Sequence, residues 1–157
     1  QGIAVEYGPV HDRNVGAFKR LLQLTLPVSY SDSFFQRLLR TPERMRQIVY
    51  VHGMFVGAVA GRLEAREDGK YRLHVTQLAV LAAYRGCGLG SALLRHLIRG
   101  AKEGEEEVVE AMLCVHTENE EALEFYKKQG FSKNPTPIAN YYPNIAPTSA
   151  FLLQRWI

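Results

Sequence analysis

A glycine-rich turn in the middle of the chain carries residue types that bind phosphate groups. An apolar strand that includes Leu78, Ala79 and Val80 leads into residues 84–91, where three glycines come directly before an amphipathic helix. Glycine allows positive φ and close approach to a ligand, and a helix start offers amide N–H groups and partial positive charge to an anion. Arg85 adds a cation beside the turn. The segment therefore predicts a phosphate or pyrophosphate site.

Three kinds of nucleotide site, and a connector without a ligand, are alternatives for this turn. A Walker A loop requires Lys after its last glycine, whereas Gly90 is followed by Ser91. A dinucleotide fingerprint fits poorly, because Ser91 stands where the third glycine belongs. The third pattern is Arg-x-x-Gly-x-Gly, which is present as Arg85, Gly88 and Gly90. This pattern resembles the acetyl-CoA pyrophosphate loop of the GNAT acetyltransferases.

A second segment resembles the same family. Residues 119–131 match the signature Asn-x-x-Ala-x-x-x-Tyr-x-x-x-Gly-Phe that follows the fifth strand of that family. The resemblance implies that the Tyr126 hydroxyl donates to the CoA sulfur and that Asn119 contacts CoA, whereas core packing and helix capping alone are the simpler alternatives. It implies acetyl-CoA as cosubstrate, no metal, and a binding site formed by Leu78, Val80, Arg85, Gly86, Cys87, Gly88, Leu89, Gly90, Ser91, Asn119 and Tyr126.

Two further segments resemble the peptide-binding loops of N-terminal acetyltransferases, in particular those of the NatE type. Residues 26–32 are similar to a Phe-Pro-Val-x-Tyr segment, and residues 140–142 with Ile145 are similar to a paired-tyrosine loop. The resemblance implies an apolar slot for a first Met, with tyrosine hydroxyls holding the peptide backbone. Packing of the tyrosines on the sheet edge is the alternative. The slot residues are Leu26, Pro27, Val28, Tyr30, Tyr141, Tyr142 and Ile145.

The two positions that the resemblance assigns to catalysis hold unusual residues. Where such enzymes carry a Tyr and a His, this chain has His74 and Cys114. His74 is the preferred candidate base, because imidazole titrates near neutral pH, and His116 is the reserve. An unbulged strand places His74 on one face together with Thr76, Leu78 and Val80. The predicted catalytic residues are thus His74 as proton acceptor, Tyr126 as the acid that protonates the departing thiolate, and Cys114 at the usual histidine position.

A weak base is compatible with acetylation of a peptide N-terminus. Deprotonating an α-amine at pH 7 costs about 1 kcal/mol, against about 4.6 kcal/mol for a lysine. We therefore expect an N-α-acetyltransferase that acts on Met followed by an apolar residue. The resemblance implies association with a NatA-type complex on the ribosome. A CoA-binding subunit with little or no turnover, and an acetyltransferase for lysines or small amines, are the alternatives.

Hydrophobic periodicity and turn residues predict the elements that position these groups. A first strand covers residues 3–7 and ends at Gly8-Pro9, and two helices start after Asp12 or Asn14 and after Ser31 or Asp32. Strands follow over residues 48–51, 54–63 and 71–81, with turns at His52-Gly53 and Asp68-Gly69.

The second half alternates helix and strand. A helix runs from the glycine turn to Gly104, a strand covers 108–115, a helix starts at Asn119 or Thr117, and a last strand covers 150–156. Antiparallel strands followed by a βαβα unit indicate a mixed, mostly antiparallel sheet with helices on both faces. The resemblance implies the GNAT fold, of α/β (α+β) class, as a single domain over residues 1–157.

Composition excludes several classes of protein. The 157 residues carry a net charge of +3, with 46% hydrophobic and 22% charged residues. Disorder is not expected at this composition, and the apolar runs are too short for a transmembrane helix. A charge of +3 gives no reason to expect nucleic-acid or membrane binding. Cys87 and Cys114 lack metal-ligand spacing, which favours a reducing compartment and a cytoplasmic location.

Overall fold

The computed structural model describes residues 5–25, 30–142 and 146–157, which form seven strands and four α-helices. The strands are β1 (Val5–Pro9), β2 (Arg46–Val51), β3 (Met54–Ala65), β4 (Tyr71–Val80), β5 (Val108–His116), β6 (Ser132–Lys133) and β7 (Ala150–Trp156). The helices are α1 (Val15–Thr25), α2 (Asp32–Arg40), α3 (Leu89–Ala101) and α4 (Glu120–Lys128). Short 3-10 helices lie at Glu43–Met45 and Ala82–Tyr84.

The strands form one mixed sheet in the order β1-β2-β3-β4-β5-β7-β6. Strand β4 pairs in parallel with β5, whereas the pairs β1/β2, β2/β3, β5/β7 and β6/β7 are antiparallel. The predicted mixed, mostly antiparallel sheet is thereby confirmed. By their internal contacts the residues divide into two compact units, the first covering Gln1–Arg62 and Val75–Glu105 and the second Leu63–His74 and Glu106–Ile157.

In the first unit, helices α1 and α2 pack their apolar faces on the inner strands. Their fully or nearly buried side chains are Phe18, Leu21, Leu22, Phe35 and Leu38. Ser31 caps α2 as predicted, because its hydroxyl accepts a hydrogen bond from the Phe34 N–H at 3.2 Å. Asn14 precedes α1 but does not cap it in the predicted way: its Oδ1 accepts from the His11 N–H, 2.8 Å away.

Strand β1 does not end at Gly8-Pro9, as the turn signal predicted, but continues to Pro9. Gly8 and Pro9 pair with Ile48 and Gln47 of β2. The strand lies at the edge of the sheet, where a missing proline N–H breaks no ladder hydrogen bond. The first two residues of the predicted strand, 3 and 4, lie outside the described residues.

Helix α3 contacts the first 3-10 helix at its C-terminal end. The Arg44 Nε donates to the Gly100 carbonyl at 2.7 Å. A Cβ added at Gly100 would overlap the backbone oxygen of Arg44 and lie 3.1 Å from its carbonyl carbon. The helix ends at Ala101 with Lys102 as C-cap, three residues before the predicted stop at Gly104. Glycine at position 100 is therefore required by space.

The second unit is built on β5, which pairs with β7 from Glu110 to His116. Asn119 caps α4, since its side-chain oxygen accepts a 3.1 Å hydrogen bond from the Ala122 N–H. Of the two predicted helix starts, Asn119 and Thr117, the structure therefore has the first. The helix is followed by Gly130 at φ 89°, a usual helix stop. After Phe131 the chain forms the two-residue strand β6. Among the described residues no helix is long and apolar enough to span a membrane.

Candidate active site

The predicted phosphate loop joins the 3-10 helix after β4 to the start of α3 in the first unit. Gly86 and Gly88 have φ of 80° and 84°, a region that costs other L-residues about 1–2 kcal/mol. Gly88 is the N-cap of α3, and no side chain caps that end. The first amide N–H groups of a helix have no acceptor within the helix. At the start of α3 they are available to hydrogen-bond a ligand bound at the loop.

The polar side chains of the loop shape it from within. Arg85 donates from Nε to the Val80 carbonyl at 3.0 Å, which holds its guanidinium beside the end of β4. The Cys87 thiol lies 2.8 Å from the Tyr84 carbonyl. The Ser91 hydroxyl accepts from Arg95 at 2.9 Å, one turn further along α3.

The loop fits the diphosphate group of CoA. A Cβ built at Gly86 or Gly88 would meet no atom within 4 Å, so open space lies on that side of the backbone. Helix N–H groups and an arginine then offer the donors that a diphosphate needs. Leu78 and Val80 are half-buried positions that alternate along β4 with the buried Ala79.

Tyr30 lies in the first unit, against a polar residue that the sequence did not single out. Its hydroxyl is hydrogen-bonded to Gln77. The pKa of this phenol is raised, because the effect of burial exceeds the opposite effect of the bond to Gln77. Gln77 is 3% exposed. It lies on the same buried face of β4 as Val75 and Ala79. A polar residue at an inward strand position must find a partner, and that pattern was the available signal. Leu26, Pro27, Val28 and Ile145 lie outside the described residues.

In the second unit, the predicted paired tyrosines meet the predicted Cys114. The Cys114 thiol is hydrogen-bonded to Tyr141, and the Tyr142 hydroxyl donates to the Cys114 carbonyl at 3.5 Å. The two rings pack edge to face with centroids 4.8 Å apart. Burial raises the pKa of the Cys114 thiol, which the Tyr141 bond lowers in part. A thiol with a raised pKa is neutral at pH 7 and is a poor base.

Main-chain bonds hold the loop that carries these tyrosines. The Tyr142 N–H donates to the Thr148 carbonyl at 2.8 Å, and Ile138 exchanges two backbone bonds with Ala150. Asn140 adopts φ 57°, a left-handed conformation that asparagine tolerates. The Thr148 hydroxyl donates to the Asn140 side chain at 3.2 Å. The chain reversal before Tyr141 is therefore fixed on both sides.

Both ring nitrogens of His116, the reserve base, are engaged by the backbone. Its Nε2 donates to the Pro147 carbonyl, and its Nδ1 accepts from the Glu118 N–H at 3.3 Å. Its ring also packs against Tyr142 at 5.7 Å. This arrangement suits a residue that holds the tyrosine loop and leaves no ring nitrogen for a substrate proton.

Tyr126 is buried on α4, where its ring contacts Phe125 and Phe131 edge to face at 5.1 and 5.4 Å. Burial, with a smaller contribution from the charge of Tyr142, raises its pKa well above the usual value for a phenol. Such a hydroxyl stays protonated and can only donate a hydrogen bond to a thiolate. Asn119 is exposed at the start of the same helix, and its side-chain oxygen serves as the cap.

His74 lies on β4 in the second unit and is paired with a carboxylate. Its Nδ1 is 3.0 Å from the Glu64 Oε2, with side chains 16% and 33% exposed. In the parallel register His74 stands beside Met112 of β5, two residues before Cys114. Glu64 lies within β3, one residue beyond the end of the strand predicted over residues 54–63. Within the described residues, no three His, Cys, Asp or Glu side chains are grouped as metal ligands.

Comparisons with known proteins identify the family of the chain and several similar sequences. Residues 15–131 match the profile of the acetyltransferase (GNAT) family. The chain is 36% identical to N-alpha-acetyltransferase 50 of Danio rerio over 96% of its length and 88% of that protein. It is 34% identical to "Probable N-acetyltransferase san" of Drosophila melanogaster, over 97% of this chain and 80% of that protein.

A solved structure is similar over almost the whole chain. Arabidopsis thaliana Naa50 in complex with the bisubstrate analogue CoA-Ac-MVNAL superposes with a TM-score of 0.86 at 36% identity, covering 98% of this chain and 99% of that one.

Proposed function

This chain belongs to the acetyltransferase (GNAT) family and is an acetyl-CoA-dependent N-α-acetyltransferase, and we propose that its substrates are peptide N-termini that begin with Met and an apolar residue. The observation that carries the activity is the near-full-length similarity to N-alpha-acetyltransferase 50. The analogue bound by the Arabidopsis relative has Met followed by Val, which supports the proposed preference. The alternative of a CoA-binding subunit without turnover is not favoured.

Positioning of the two substrates supplies much of the catalysis in this proposal. The loop of Arg85, Gly86, Cys87, Gly88, Leu89, Gly90 and Ser91 binds the diphosphate of acetyl-CoA, and Leu78, Val80 and Asn119 contact the rest of the cosubstrate. Tyr30, Tyr141 and Tyr142 hold the peptide, together with Leu26, Pro27, Val28 and Ile145. Holding the amine against the thioester removes the entropic cost of their encounter.

Proton transfer needs only modest assistance. The neutral α-amine attacks the thioester carbonyl, a C–N bond forms, and the C–S bond breaks. His74 accepts the proton that the amine nitrogen must lose. Tyr126 donates a hydrogen bond to the departing thiolate, which then takes its proton from solvent, because the raised pKa of the phenol disfavours full transfer. Cys114, as a neutral thiol, positions Tyr141.

The wider setting is also part of the proposal. We place the protein in the cytoplasm as a NatE-type enzyme that associates with a NatA-type complex on the ribosome, with residues 1–157 forming one N-acetyltransferase domain. Support comes from the similarity to N-alpha-acetyltransferase 50 and from the loops that resemble a peptide slot. Nucleic acid and lipid are not proposed as direct ligands.

A peptide acetylation assay tests the proposed function. The protein is given acetyl-CoA and a library of peptides that includes Met-Leu starts, with N-terminally blocked Met-Leu peptides as control. We expect product on the free α-amine only, and fastest turnover for Met followed by an apolar residue. Binding of acetyl-CoA without product, or product on a lysine ε-amine, would contradict the proposal.

A further inference from the structure

We propose that Glu64 positions His74 for catalysis by fixing which nitrogen of its ring carries the proton. Glu64 accepts a hydrogen bond from His74 Nδ1, and Nε2 is left with a lone pair for the substrate proton. The inference rests on the proposed function, in which His74 is the proton acceptor.

The geometry of the pair determines the tautomer. The Glu64 Oε2 lies 3.0 Å from the His74 Nδ1. An ionised carboxylate has only acceptor sites, and a neutral imidazole has a single N–H. A hydrogen bond between them therefore requires the proton on Nδ1, which leaves Nε2 as an acceptor. The same division of roles underlies the acid–base–nucleophile triads of hydrolases.

The surrounding fold keeps the two side chains together. Glu64 is near the end of β3 and His74 is on β4, and the turn between these strands is closed by a 2.8 Å bond from the Arg66 N–H to the Lys70 carbonyl. Two cations of the same unit, Arg66 and Arg72, lie 2.9 and 3.5 Å from the carboxylate of Glu110. Both side chains of the pair are mostly shielded from water. A hydrogen bond at a shielded site is stronger than one at an exposed site, so the pair keeps its geometry.

The pair completes the proton balance of the reaction. As the C–N bond forms, the amine nitrogen becomes positively charged and passes one proton to Nε2. His74 is then an imidazolium, whose charge the adjacent Glu64 carboxylate stabilises. The proton leaves to solvent before the next turnover, and the CoA thiolate takes an equivalent proton from solvent. No oxidant or further reactant is needed.

The test combines kinetics with a direct measurement of the tautomer on the full chain. The variants are Glu64→Ala, Glu64→Gln and His74→Phe, with Glu67→Gln as a matched control at an exposed acid of the same hairpin. Steady-state rates with acetyl-CoA and a Met-Leu peptide give kcat and both KM values. The 15N chemical shifts of the His74 ring report which nitrogen is protonated.

We expect the wild-type His74 ring to carry its proton on Nδ1 and the Glu64→Ala ring to shift toward Nε2–H. Glu64→Ala should lower kcat about tenfold, in the range of losses seen for groups that orient a functional histidine, without changing either KM. Glu64→Gln keeps an acceptor oxygen without the charge and should fall between Glu64→Ala and wild type. Glu67→Gln should match the wild type.

The outcomes separate the two proposals. Wild-type kcat and an unchanged Nδ1–H signal in Glu64→Ala, with His74→Phe still slow, would overturn the role of Glu64 and leave the function intact. Absence of peptide product from the wild type would overturn the function itself. If Glu64→Ala does not fold, the isosteric Glu64→Gln variant must show the reduced kcat with an unchanged melting temperature, and wild-type kinetics there would reject the inference.

Discussion

Gly88→Ala tests whether the loop before α3 contacts the cosubstrate. Gly88 has φ of 84°, and a Cβ there would meet no protein atom within 4 Å. In the free protein the substitution therefore introduces backbone strain without a clash. In the complex the same methyl group would stand where the diphosphate approaches the helix start.

A matched control separates these two effects. Gly53, in the turn between β2 and β3 of the same unit, has φ of 78° and equally open space for a Cβ. Alanine in the left-handed region costs about 1–2 kcal/mol, so both variants should melt about 2–8 °C below the wild type. Only Gly88→Ala should also lose a charge-assisted hydrogen bond to phosphate, worth about 1.5–3 kcal/mol.

The assay is the Kd of acetyl-CoA by titration calorimetry, with the peptide KM as a second measurement. We expect Gly88→Ala to weaken acetyl-CoA binding about 10- to 150-fold and Gly53→Ala to leave it unchanged, with equal losses of melting temperature. Equal acetyl-CoA affinities in the two variants would refute the placement of the diphosphate at Gly88, whatever their stabilities.

Two further predictions concern α3. Gly100→Ala should destabilise the fold by about 2 kcal/mol, because the clash with the Arg44 backbone outweighs a gain of up to about 1 kcal/mol in helix propensity. The control is Gly16→Ala in α1, where a Cβ meets only the Arg20 guanidinium at 3.8 Å, and this variant should be neutral or stabilised. Equal melting temperatures of the two variants would contradict the overlap at Gly100. His96 stacks on Tyr7 at 4.2 Å, and burial followed by the charge of Arg99 lowers its pKa. The fold thus favours the neutral ring, and stability contributed by His96 is full above about pH 6.5 and is lost as pH falls toward the lowered value. His96→Phe should therefore lose less melting temperature than the wild type between pH 7.5 and 5, and parallel pH curves would show that His96 does not contribute.

Local chemistry made part of the fold and site predictable from sequence. Ser31 and Asn119 cap their helices because a cap depends on residues three positions apart. His52 and Gly53 form a turn with positive φ for the same local reason. The glycines before α3 could likewise be read directly, since their positive φ follows from residue type and the adjacent helix start.

Contacts between elements could not be predicted in this way. The pairing of Glu64 with His74 depends on which residues of two strands meet, and the hydrophobic pattern does not mark that position. For Gln77 the strand pattern marks a polar residue at an inward position, but it does not identify the partner Tyr30, which lies 47 residues earlier in the chain. The residue type of His116 makes it a candidate base. Its hydrogen bonds to the Pro147 carbonyl and the Glu118 N–H could not be predicted, because main-chain groups are the same at every position of the sequence.

The way the tyrosine loop is held has a consequence for redesign of peptide selectivity. Its shape depends on main-chain bonds at Ile138, Tyr142 and Thr148 and on the asparagine turn at 140. The rings of Tyr141 and Tyr142 contribute contacts to Cys114 but none of those main-chain bonds. If Tyr141 and Tyr142 hold the peptide as proposed, other side chains at these two positions can be screened for binding of other N-terminal residues, because the main-chain bonds at Ile138, Tyr142 and Thr148 do not depend on the two rings.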